Sequence, residues 1–115
     1  MKSVQDEAER FQRAILHAVF QDRQRPQKAL ARLLPRHPDL PLSQAIFTLT
    51  TIATDLRGAF APDTHWTPED WLECAASLGC DLHVLETRGI LAPNSAARTA
   101  FWAGLEGDPH LPDGA

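Results

Sequence analysis

Residues 41–61 read PLSQAIFTLTTIATDLRGAFA, the stretch that decides the fold because it holds the densest set of large apolar residues in the chain. Leu42, Ala45, Ile46, Leu49, Ile52, Ala53, Leu56, Ala59 and Phe60 recur at spacings of three and four, which gathers them on one face of a 3.6-residue helix. A strand does not fit. Phe47 and Leu49 alternate with Thr48 and Thr50, but Thr51 and Ile52 break the period of two, and about twenty residues is too long for a strand. The stretch predicts a central helix over about 41–60, with Asp39 as candidate N-cap and Pro41 in its first turn.

Helical patterning continues on both sides. A first helix is expected from a Ser3 cap to about Arg23 or Gln24, with Val4, Ala8, Phe11, Ala14, Ile15, Ala18 and Val19 along one stripe. Leu16 and Phe20 fall nearly opposite that stripe, so they need a second partner: either the next segment folded back over them, or another subunit. Pro26 suits the first turn of a short second helix, with Ala29, Leu30, Leu33 and Leu34 on its face and Pro35 as its stop. Pro35, Pro38 and Pro41 recur every third residue, which suits a stiff connector or a polyproline edge.

Trp66, Thr67, Pro68, Glu69 and Asp70 form the clearest helix start, with Thr67 as cap, Pro68 at the first position, Asp70 closing a capping box and Trp66 stapled onto Trp71. Trp71, Ala75, Leu78, Leu82 and Leu85 continue its apolar face. Gly79 leaves two alternatives, one long helix to about Arg88 or two helices with a tight turn between them. A last helix from Asn94 or Ser95 to Leu105 turns Ala97, Phe101 and Leu105 inward and leaves Trp102 off that line.

These elements predict an all-α fold: one compact domain of about five helices, an irregular or orthogonal bundle over 1–106, followed by an acidic Pro/Gly tail at 107–115 expected to be disordered. The N-terminus is charged and polar rather than signal-like, and no apolar run reaches the roughly twenty residues that span a bilayer. Cys74 and Cys80 lie six apart in a helical pattern, where side chains point to different sides. A reducing, cytoplasmic setting follows, with no membrane partner. With 15 acidic against 11 basic residues the net charge is −4, which disfavours nonspecific nucleic-acid affinity. Seven of the bases, Arg10, Arg13, Arg23, Arg25, Lys28, Arg32 and Arg36, nevertheless fall between positions 10 and 36, which makes the N-terminal third the cationic part.

The segment from Thr67 to Pro93 resembles a helix-turn-helix, with Ala75, Gly79 and Cys80 at the small, turn and apolar positions and Gly89, Ile90 and Leu91 at the exit of the second helix. That resemblance implies a DNA-binding regulator reading through His83, Thr87 and Arg88. The same presumed helix carries Asp81 and Glu86, two acids against one certain base, whereas DNA readers combine phosphate-neutralising bases with base-edge donors. Thr48, Thr51 and Asp55, with Thr50 and Thr54 beside them, form a polar row opposite the central helix's apolar face, either solvated or a ligand face. Cys74, Cys80 and His83 invite a metal, but a fourth ligand is not evident and no metal or cofactor is expected. No phosphate loop, nucleophile elbow or two-histidine metal motif is present, so the chain is not expected to be an enzyme. The reading that follows is a small cytoplasmic regulatory or adaptor module acting through protein contacts and self-association, with Leu16, Phe20 and Trp102 as contact residues.

Overall fold

The computed structural model describes residues 4–58 and 67–106. Within them run α1 (Val4–Phe20), α2 (Pro26–Leu33), α3 (Leu42–Gly58), α4 (Pro68–Thr87) and α5 (Ser95–Glu106), with a 3-10 turn at Leu34–Arg36. Pairing between extended segments is confined, among the described residues, to an isolated antiparallel bridge between Pro41 and Asn94. The all-α architecture expected from the periodicity is the one observed. The expected tail at 107–115, Ala59, Phe60 and the Trp66 staple lie outside the described residues.

The central helix is the hub. Leu42, Ala45 and Leu49 are fully buried, Ile52 and Ala53 nearly so, and Ile46 and Leu56 pack against the same core. Its most extensive partner is α4, whose Trp71, Leu78 and Leu85 are also fully buried. Phe11 and Ile15 of α1 and Leu34 and Leu40 of the connector close the core from the other side. Each such side chain contributes roughly 1.5–3 kcal/mol by leaving water, so the shared face of α3 and α4 dominates the fold.

Helix ends differ from expectation where hydrogen bonding decided them. α1 stops at Phe20 rather than Arg23: the Gln21 and Asp22 amides both donate to the His17 carbonyl (2.9 and 3.1 Å), and the Gln24 amide reaches back to Ala18 (3.0 Å). Arg23 is left-handed at φ 57°, which ends the helix and turns the chain into α2. The three prolines do not stack as a polyproline edge. Pro35 lies in the 3-10 turn, and the next bends are closed by His37 N–H to the Leu34 carbonyl (3.0 Å) and Leu40 N–H to the His37 carbonyl (3.1 Å).

Asp39 does not cap α3. The first amides of α3 and α5 are instead satisfied reciprocally. Leu42 N–H donates to the Pro93 carbonyl (3.0 Å), while Ser95 and Ala96 N–H donate to the carbonyls of Leu40 (2.8 Å) and Pro38 (3.0 Å). Four amides at each helix start lack a partner within the helix, and here two helices meet end to end so that each covers the other's. Asn94 adds a side-chain cap, its Oδ1 accepting from Ala97 N–H at 2.9 Å. Ser95, fully buried, donates its hydroxyl to the Leu34 carbonyl.

α4 begins as its sequence predicts, with Asp70 Oδ2 accepting from Thr67 N–H at 2.9 Å in a capping box. It then runs without interruption through Gly79. It ends at Gly89, left-handed at φ 89°, where Ile90 N–H donates to Leu85 (3.1 Å) and Gly89 N–H to Glu86 (3.0 Å). That crossed pair is the usual glycine helix stop.

Candidate functional site

Two features of the surface gather residues from separate elements. The first is a polar cluster at the N-terminal end of α1. Glu7, only 8% exposed, accepts hydrogen bonds from Arg10 one turn later and stands 3.0 Å from His37 Nδ1 beyond the 3-10 turn. The His37 ring also packs edge-on against Phe11, with centroids 5.7 Å apart. Burial pushes the Glu7 carboxyl up, but the hydrogen bonds from His37 and Arg10, with their charges, outweigh it and hold the group below its ordinary value. A shallow cleft of about 300 Å³ opens beside the cluster, with Arg36, Pro38 and Asp39 at its rim. His37 and Arg10 both meet the Glu7 carboxylate, so the arrangement ties the connector to α1.

The second is a cleft of about 470 Å³ between α1 and α3, lined by Gln5, Ala8, Glu9, Gln12, Gln44, Phe47 and Thr48. Phe47 projects there with 68% of its surface exposed, although it sits in the helix with the best-buried apolar face. Counting about 100° per residue, Phe47 stands about 170° from the mean direction of the buried α3 set, so the helical wheel carries this signal. The search for apolar positions at spacings of three and four passes over it.

The residues singled out in sequence meet different fates. Leu16 is half-buried and packs against the core. Phe20 remains 42% exposed, yet its ring stacks on Trp71 of α4 with centroids 6.1 Å apart. Its partner is therefore α4 and not the next helix. Trp102 is 41% exposed and lies edge-on to Phe101, which sits under Arg88 at the other end of α4. From Trp71 to Arg88 is about 25 Å along the helix axis at 1.5 Å per residue. Leu16, Phe20 and Trp102 thus do not form one contact surface.

The polar row on α3 is divided between core and solvent. Thr48 is buried, at 6% exposure, while Thr51 is half-buried and Asp55 exposed. The Thr50 and Thr54 hydroxyls donate back to the Ile46 (2.8 Å) and Thr50 (3.0 Å) carbonyls, which spends their donors inside the helix. The helix-turn-helix resemblance fails at its turn, because α4 is continuous over Gly79 and the segment is one helix. His83, Thr87 and Arg88 are exposed. Thr87 returns its hydroxyl to the Val84 carbonyl at 2.7 Å, and the Arg88 guanidinium lies 5.0 Å over the Phe101 ring. Asp81, on the supposed recognition surface, is held at 2.7 Å by Arg98 of α5.

The two cysteines also part company. Cys74 is buried and its thiol is pushed up to about 11, first by burial and then by the Glu73 and Asp70 carboxylates. Cys80 is exposed. In a continuous helix their Cα atoms are about 9 Å apart along the axis, beyond the roughly 7 Å a disulfide spans. No helix among the described residues is long and apolar enough to cross a membrane. No protein-family model, no curated protein and no solved structure matches the chain.

Proposed function

We propose that this chain is a small interaction module that works through protein–protein contact rather than covalent chemistry, and that it self-associates. The observation that carries the reading is Phe47, a large aromatic left 68% exposed beside an open cleft on the best-packed helix. An exposed aromatic beside a cleft offers apolar area that a partner can remove from water. Leu91, at 91% exposed, and Trp102 add further apolar surface on the far side of α4. A reducing cytoplasmic setting suits two cysteines that stand too far apart to pair.

Light scattering after size exclusion tests this directly, with loading concentrations from about 1 μM to about 1 mM, the span of weak to moderate dimers. A mass that rises from monomer toward dimer supports self-association. A constant monomer mass over that range refutes it.

A further inference from the structure

We infer that the α1–α3 face around Phe47 is the self-association surface and that its occupant is a second copy of this chain, packed about a two-fold axis. The inference rests on the interaction role proposed above and names its surface.

The face carries both halves of a contact. Phe47 projects, and the cleft beside it, about 470 Å³ and lined mainly by the polar Gln5, Glu9, Gln12, Gln44 and Thr48, has room for a ring. A two-fold interface requires a patch to complement itself, and a knob next to a hole on one face meets that requirement. One copy's Phe47 ring enters the other copy's cleft, and the reverse contact forms at the same time.

Charge selects the same occupant. Among the described residues lining the cleft, Glu9 is the one ionisable side chain, while Gln5, Gln12 and Gln44 present carboxamides. A carboxamide both donates and accepts, so a glutamine that meets its own copy can pair reciprocally. A lysine or glutamate in that position would meet its own charge. A strongly acidic or basic partner, nucleic acid included, finds almost no charge here to recognise it. Each copy carries a net charge of −4, so the whole molecules repel weakly at long range. Added salt should therefore tighten this dimer, the opposite of what it does to a contact between opposite charges.

The test is sedimentation velocity over the same concentration range on wild type, Phe47→Glu, Gln44→Glu and Trp102→Glu, each confirmed as folded by far-ultraviolet circular dichroism. Phe47→Glu should weaken dimerisation by at least about thirtyfold, the effect of losing a central aromatic anchor. Gln44→Glu, which leaves packing nearly unchanged but sets like charges across the axis, should weaken it several-fold and recover with salt. Trp102→Glu should leave it unchanged. Those results support the inference. A wild-type dimer that survives both Phe47→Glu and Gln44→Glu overturns the assigned surface and leaves the interaction role standing. A wild type that stays monomeric overturns the second copy and self-association together. If the monomer also enhances the fluorescence of an anilinonaphthalene sulfonate probe and Phe47→Glu does not, the cleft's occupant is a small apolar ligand instead of a second copy.

Discussion

His37 Nδ1 stands 3.0 Å from Glu7 Oε1, joining positions thirty apart in the chain and fixing the connector after α2 to the beginning of α1. The contact is shielded, with 12% of the His37 side chain and 10% of the Glu7 side chain exposed. Arg10 supplies the second donor to the same carboxylate.

Glu7→Gln should therefore destabilise the fold by about 1–3 kcal/mol at neutral pH, the scale of hydrogen bonds to a charged group. Because the folded state holds the Glu7 carboxyl below its ordinary value, its contribution is fully present above that ordinary value. It is lost as pH falls through the lower folded-state value. Urea denaturation of wild type and variant at pH 7 and at about pH 3 should give a gap that narrows in acid. A gap that widens in acid would contradict the lowered carboxyl.

Gly79 lies inside a continuous helix, and a Cβ added there meets nothing within 4 Å. Gly79→Ala should stabilise the protein by about 0.5–1 kcal/mol, the usual gain for alanine over glycine in a helix interior. Thermal melting checks it. A marked loss of stability would mean that the chain turns at this position.

Ser95→Ala should cost about 0.5–1.5 kcal/mol, the net worth of one hydrogen bond, because the Leu34 carbonyl loses the serine hydroxyl but keeps the His37 amide. Thr99→Ala, at an exposed position of the same helix, is the control and should change stability by less than about 0.5 kcal/mol. Chemical denaturation of the two variants separates the buried hydrogen bond from helix propensity.

Thiol labelling under native conditions should proceed in two phases. Cys80 is exposed and should react quickly, while Cys74 is buried with its thiol pushed up to about 11 and should react only on unfolding or local opening. Mass spectrometry of peptides after brief iodoacetamide treatment locates the label. Equal labelling of the two would show that the α4 core opens readily.

The helices were largely legible in sequence where one physical signal sufficed. Thr67, Pro68 and Asp70 announced the start of α4 because a capping box is local: it closes within four residues. The α3 core face was legible because periodicity depends only on spacing and on burial of one side. The α3 start is not legible locally: Asp39 satisfies the local capping rule, whereas the Leu42 amide is served by the Pro93 carbonyl, about fifty residues away in sequence. The Glu7–His37 pair was not legible for the same reason. Each residue alone resembles a surface charge, and only the fold brings them together.

By itself, then, the sequence determined the helical class, the position of the central helix and most of its buried face, since these follow from local hydrogen bonding and from the period of apolar residues. Tertiary structure decided which apolar residues remained outside. Leu16 and Phe20 looked alike on the wheel of α1, but Leu16 packs against the core while Phe20 leans on Trp71, and Phe47 was left to solvent on the helix that buries its neighbours. Exposure is a property of what lies opposite a side chain, and that depends on how the helices pack rather than on the spacing of residues within any one of them.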